Sequence, residues 1–183
     1  MTAPLLIVDL QRGFMNDFTH HIPERIARVI ERGRHDPLLF TRFVNVPESP
    51  YQRFLDWHDV AAPPDTELVP EMVRFVARGR VFEKRGYTGL PEELGAHLRE
   101  IAAEEVTVVG IDTDMCVLKT AMDTFDLGIR PVVLTDCCAS TLGAAAHLLG
   151  LAILSRNIGP HQLREAGLSE GTLAAPPTDE PSD

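Results

Sequence analysis

Cys116 stands in VVGIDTDMCVLKTA, directly after an apolar run that reads as a strand and at the start of a segment with helical period. Two further reactive residues occupy comparable places. Asp9 closes the apolar run LLIVD, and Lys84 ends the run FEK. In open parallel sheets ligands collect beyond the carboxyl ends of the strands, so three such ends can bring a thiol, a carboxylate and an ammonium group together. These groups suffice for acyl transfer: a nucleophile, a carboxylate that accepts and returns its proton, and a cation that steadies both. A position in the first turn of a helix adds unpaired amides and the helix dipole, which are expected to favour the thiolate form of Cys116. Taken singly, a strand-end aspartate is usually structural and a lone cysteine is usually a small core residue. It is the set of three that points to chemistry.

The elements that must carry these residues follow from the hydrophobic pattern. Leu5 to Leu10, Pro37 to Val44, Arg80 to Glu83, Val106 to Ile111, Pro131 to Thr135 and Leu151 to Ser155 read as strands. Most are continuous apolar runs, as parallel strands covered on both faces should be. Pro23 to Arg32, Pro91 to Ala103, Asp114 to Leu127 and Leu142 to Leu149 read as helices, with Pro91 suited to a first turn and Gly33 and Gly128 to helix ends. Met115, Leu118, Met122 and Phe125 recur at spacings that would bury one stripe of the third helix against the sheet, and Asp114 suits its N-cap. Alternation of strand and helix predicts a doubly wound α/β domain. The proline-rich stretch from 47 to 70, with Tyr51, Phe54 and Trp57, reads as an excursion over the sheet edge, a lid or a subunit contact. From Gly171 the composition is too polar to offset its ordering entropy, so residues 1–170 are expected to form one domain and 171–183 a disordered tail.

Composition narrows the function. The chain has 183 residues and a formal net charge of -10, which repels phosphate backbones and makes nucleic acid an unsuitable partner. Its most apolar stretch, Ala144 to Leu154, is interrupted by His147 and is far shorter than the roughly 20 residues of a membrane helix. The N-terminus lacks the cationic start of a signal peptide. Three cysteines, two adjacent at Cys137 and Cys138, form no disulfide framework and fit a reducing compartment, so a cytoplasmic location is expected. Cys137 and Cys138 are assigned to packing. Serine esterase, nucleotide-phosphate and dinucleotide motifs are absent, as is the histidine spacing of zinc hydrolases. Asp112 and Asp114 lack the glycine and distal glutamate of a calcium loop.

LLIVDLQRGF around Asp9, FEKRGYTGL around Lys84, and VVGIDTDMCVLKTAMDTFDLGIRPVVLTDCCAS around Cys116 together resemble the isochorismatase-like cysteine hydrolase superfamily, which includes nicotinamidases, N-carbamoylsarcosine amidases and ureide-type amidohydrolases. With TRFVN and SPYQRFLDW between them, the likeness runs from about residue 4 to 160. It implies a three-layer α/β sandwich with a mainly parallel six-stranded sheet of Rossmann-like type, and an Asp9, Lys84, Cys116 triad. It further implies a non-proline cis peptide between Ile111 and Asp112 and an oxyanion hole built from the amides of Asp112 and Cys116. Metal-dependent nicotinamidases carry an aspartate and a histidine where this chain has Phe43 and Asn45, so no metal and no cofactor are expected. Phe14, Trp57 and Tyr87 are candidates for the walls of a substrate pocket. The expected substrate is a small amide, carbamoyl or ureide compound, cleaved at a C–N bond through a thioester. Ether cleavage of the isochorismatase type and an idle, small-molecule-binding relative are the alternatives. The resemblance suggests a homo-oligomer, a dimer or a tetramer.

Overall fold

A computed structural model describes residues 2–168; the tail expected from 171 to 183 lies outside them. One six-stranded sheet forms the centre, in the order β3-β2-β1-β4-β5-β6. Its strands are β1 (Leu5–Val8), β2 (Leu38–Phe43), β3 (Gly79–Lys84), β4 (Glu105–Ile111), β5 (Arg130–Ala139) and β6 (Leu163–Arg164), and every pairing between neighbours is parallel. β1 and β4 are buried along nearly their whole length, because helices cover both faces of the sheet. β3, at the edge, alternates.

On one face, α1 (Ile22–Glu31) and α3 (Pro70–Val76) pack Ile22, Ile26, Met72 and Phe75 against Leu5, Ile7, Phe40 and Val109. On the other, α4 (Glu92–Glu100), α5 (Leu118–Asp126) and α6 (Ala144–Ile158) pack Leu94, Leu98, Ala121, Leu154 and Ile158 against Leu6, Val8, Leu39 and Val108. The even and odd residues of β1 thus enter different cores. This is the three-layer α/β sandwich that the sequence leads one to expect.

Two expectations are corrected. Leu151 to Ser155 is not the sixth strand: it lies within α6, a helix that runs on from Ala144 to Ile158 and buries Gly150, Leu154 and Ile158 at a spacing of four. A short apolar run cannot be assigned by periodicity alone, and the glycine that reads as a break is a packing contact. The sixth strand is the two-residue Leu163–Arg164. The stripe Met115, Leu118, Met122 and Phe125 is likewise not the buried face of α5. That face is Val117, Thr120, Ala121 and Thr124, while Phe125 stays half exposed, because two threonine hydroxyls bond to carbonyls one turn back and so can be buried.

The excursion from 47 to 70 contains a short helix, α2 (Pro50–Leu55), capped by the Ser49 hydroxyl accepting from the Gln52 amide. Asn45 holds it in place: its Nδ2 donates to the carbonyls of Trp57 (2.9 Å) and Asp59 (3.0 Å), and its Oδ1 accepts from Ser49 Oγ (2.6 Å). Tyr51 and Val60 are thereby buried against Phe43, with Phe14 and Trp57 beside them. Among the described residues no helix is long and apolar enough to cross a membrane.

Candidate active site

The strand order reverses direction between β1 and β4, and the site opens there, above their carboxyl ends. Asp9 follows β1 with φ +49, a left-handed conformation that only a few non-glycine residues adopt. Its amide donates to Thr41 Oγ1 (3.1 Å), and that hydroxyl in turn donates to Asp9 Oδ1 (2.7 Å). Gln11, fully buried, ties β1 to β2 by donating to the carbonyls of Phe43 (2.9 Å) and Thr66 (3.1 Å) and accepting from the Phe43 amide (2.6 Å). Lys84 closes β3. Its ammonium group lies 2.6 Å from Asp9 Oδ2, with both side chains almost wholly buried, and donates to the carbonyls of Gly86 (3.0 Å) and Tyr87 (3.1 Å). Its Nζ also stands 5.5 Å from the centroid of the Phe43 ring.

Cys116 reaches the same place from β4. Gly110 lets β4 pass β1 closely: its φ is +125, and a Cβ there would fall 2.1 Å from the Val8 carbonyl oxygen. The peptide bond from Ile111 to Asp112 is cis. A π-helical turn, Thr113–Val117, then leads into α5, with the amides of Met115 (3.2 Å) and Val117 (2.9 Å) both donating to the Asp112 carbonyl. Thr120 Oγ1 donates to the Cys116 carbonyl (2.5 Å) and accepts from the Gly89 amide (2.6 Å), linking the turn that carries Cys116 to the loop after Lys84. Cys116 lies near enough to Asp9 and Lys84 for the charges of both to act on its thiol.

The electrostatics differ from expectation. Burial, and next the negative charge of Asp9, push the Cys116 thiol well up, and Lys84 offsets this only in part. The direction is thus opposite to the one expected from a helix-start position. The reason is place: the sulfur sits beside a carboxylate at the cavity floor and not at a bare helix end. Burial also opposes the Lys84 charge, but Asp9 and then Cys116 outweigh it, so the ammonium group is held above the ordinary lysine range. The Asp112 carboxyl is raised to about 6, chiefly by burial, although it accepts from the amide (2.6 Å) of Thr141 and lies 3.0 Å from that residue's hydroxyl. Asp114 is not the N-cap: Asp112 holds that position without a side-chain cap bond, and Asp114 Oδ1 is buried without a partner.

A cavity of about 730 Å³ lies over Cys116 and Asp112. Phe14, Trp57 and Tyr87 all line it, as the sequence suggests, and so do Phe43, Tyr51, Leu55, Met115, Thr141 and Leu142. Phe43 is thus part of an aromatic wall and Asn45 part of the loop anchor; neither side chain is arranged as a ligand. Among the described residues no three His, Cys, Asp or Glu side chains gather closely enough to hold a metal ion. Cys137 and Cys138 lie buried within β5. His58, next to Trp57, is exposed and lies 3.1 Å from Asp56. Thr41 and Thr120 escape a reading of the sequence, since a buried threonine in a strand or helix looks like any other, and Gln11 and Thr141 escape it because their partners lie far away in the chain.

A Rossmann-like α/β domain with a cysteine and an aspartate at its switch point defines the class. The isochorismatase domain model matches residues 3–160, and the chain belongs to that family, whose members include nicotinamidases and N-carbamoylsarcosine amidase. It is similar to Nicotinamidase 3 of Arabidopsis thaliana, with 25% identity over 146 residues, which is 75% of this chain and 73% of that one. Its fold matches N-carbamoylsarcosine amidase of Thermoplasma acidophilum with TM-score 0.78 and 24% identity, over 93% of this chain and 100% of that one. A cysteine hydrolase of Pseudomonas syringae superposes with TM-score 0.79 and 17% identity, over 90% and 89% of the two chains.

Proposed function

We propose that this family member is a cofactor-free cysteine hydrolase that cleaves a C–N bond of a small amide, carbamoyl or ureide compound. The observation that carries the reading is the buried Asp9–Lys84 ion pair whose charges act on the thiol of Cys116, a residue that lines a largely aromatic cavity. A thiol held protonated needs a base at the moment of attack, and Asp9 is that base. As the sulfur adds to the substrate carbonyl carbon, its proton passes to Asp9, and the oxyanion is met by the amides of Asp112 and Cys116. Asp9 then returns the proton to the departing nitrogen, and the C–N bond breaks to leave a thioester. Water, deprotonated by Asp9, attacks the thioester, and the acid leaves as the sulfur recovers its proton. Lys84 keeps its charge throughout and fixes the carboxylate that moves the proton. Phe14, Trp57 and Tyr87 contact the acyl part.

Ammonia release from a panel of small amides, carbamoyl compounds and ureides, with chelator-treated enzyme, tests this. Wild type is expected to release ammonia from at least one, and Cys116→Ala to lose at least about a thousandfold in kcat/KM, the scale of a lost nucleophile. Retained activity in the variant, or its loss on chelation of the wild type, overturns the reading.

A further inference from the structure

The charges around the cavity are one-sided. Five aromatic rings form a continuous wall: Phe43 and Tyr51 have centroids 5.1 Å apart, Tyr51 and Tyr87 5.0 Å, Phe43 and Trp57 5.9 Å, and Phe14 and Trp57 6.3 Å. The carboxylates of Asp59 and Asp112 belong to residues that line it, and among the described residues no arginine, lysine or histidine does. Lys84, its Nζ 5.5 Å from the Phe43 ring centroid, is not among the lining residues and is already paired with Asp9. A substrate carboxylate entering here would lose its hydration with no cation to meet it. An ammonium group would meet the aromatic wall, whose rings attract cations through their quadrupoles, and Asp59, an exposed acidic residue that also lines the cavity. The formal charge of the whole chain, -10, acts in the same sense.

We propose that this cavity selects amides whose acyl part carries an ammonium group and rejects those that carry a carboxylate. The inference rests on the hydrolase reading above for its amide, and on the cavity lining for its charge. Asp59 and the aromatic wall are the specificity determinants, with the cation held away from the Asp9–Lys84 pair so that its charge does not disturb the proton transfer.

Three probes of similar size separate the charges: trimethylammonioacetamide, its uncharged isostere 3,3-dimethylbutanamide, and malonamate. Ammonia release is measured with wild type. Binding is measured with Cys116→Ala by the emission of Trp57, the one tryptophan of the sequence and a residue of the cavity wall. The cation is expected to be about tenfold better than the uncharged amide in both kcat/KM and Kd, a ratio typical of a partly desolvated cation–π site. Malonamate is expected to be at least tenfold worse than the uncharged amide. Asp59→Asn should reduce the ratio of cation to uncharged amide at least threefold. Equal constants for the three probes, a preference for malonamate, or an emission that none of them changes overturns charge selection. Binding in the expected order without turnover by wild type overturns the hydrolase reading and leaves charge selection standing; turnover without charge preference does the reverse.

Discussion

Cys116 and Asp9 each determine how the other behaves. With Asp9 present, its negative charge adds to burial in keeping the thiol protonated; with Asp9 neutralised, Lys84 alone faces the sulfur and favours the thiolate. Asp9→Asn should therefore do two opposite things. Hydrolysis should fall by at least a hundredfold for want of a base, while alkylation of Cys116 by iodoacetamide at pH 7 should become severalfold faster than in wild type. Peptide mapping after timed alkylation reads the second effect, and an alkylation rate that falls along with activity would contradict the assigned roles. Leaving Lys84 buried and unpaired is expected to cost about 3–5 kcal/mol of stability, to be read by urea denaturation. Asp112 has its own signature. Its carboxyl is raised from 3.8 to about 6, so burial favours the protonated form. A raised carboxyl contributes stability that is fully present below its unfolded pKa and is lost as pH rises through the folded one, so the native state loses up to about 3 kcal/mol between pH 4 and 7 from this group. Asp112→Asn, which retains an acceptor for the Thr141 amide, is expected to flatten that slope of stability against pH. Urea midpoints measured from pH 4 to 7 check it.

At the scale of elements, the turn that carries Cys116 is positioned by a helix that packs behind it. A Cβ at Gly150 of α6 would lie 2.8 Å from both the Cα and the amide nitrogen of Asp114, and 3.0 Å from the Thr113 carbonyl carbon. Backbone atoms cannot step aside as a flexible side chain can. Gly150→Ala is thus expected to cost about 1–3 kcal/mol and to lower kcat by displacing the turn that holds Cys116. Gly95→Ala in α4 is the control: its nearest neighbour would be the tip of Arg99 at 3.7 Å, so it should gain roughly 0.5–1 kcal/mol in helix propensity and leave turnover unchanged. The same residue shows what the sequence conceals. The strands β1, β2, β4 and β5 are legible because both faces are covered and the apolar runs are continuous, and Asp9, Lys84 and Cys116 are legible because each stands at or shortly after the end of a strand. Gly150 looks like a break between helix and strand, since its partner, Asp114, is a long-range neighbour that no local pattern discloses. Thr41 is equally silent: a β-branched residue suits any strand, and only the fold places its hydroxyl on Asp9. The aromatic wall is half legible, with Phe14, Trp57 and Tyr87 recognisable as candidates and Phe43 and Tyr51 hidden among core residues.

At the scale of the molecule, topology and charge act together on the same cleft. Among the described residues the order β3-β2-β1-β4-β5-β6 reverses direction once, between β1 and β4, so the ends of β1, β3 and β4 deliver Asp9, Lys84 and Cys116 to one side of the sheet, with α2 and its loop closing the cavity above them. Within the site, the Asp9–Lys84 pair is neutral, and a distant approaching substrate senses the sum of the surface charge, which is strongly negative. That field falls off within about 10 Å at 0.1 M salt and within roughly 3 Å at 1 M, whereas contacts made inside the cavity are screened far less. Raising sodium chloride from 10 mM to 0.5 M should therefore lower kcat/KM for trimethylammonioacetamide severalfold, leave that for 3,3-dimethylbutanamide within twofold, and leave the Cys116→Ala ranking of the three probes intact. Steady-state ammonia release at the two ionic strengths measures the first pair of effects and Trp57 emission the third. A cation rate indifferent to salt would assign the selectivity wholly to Asp59 and the aromatic wall, and deny the surface field any part in delivering the substrate.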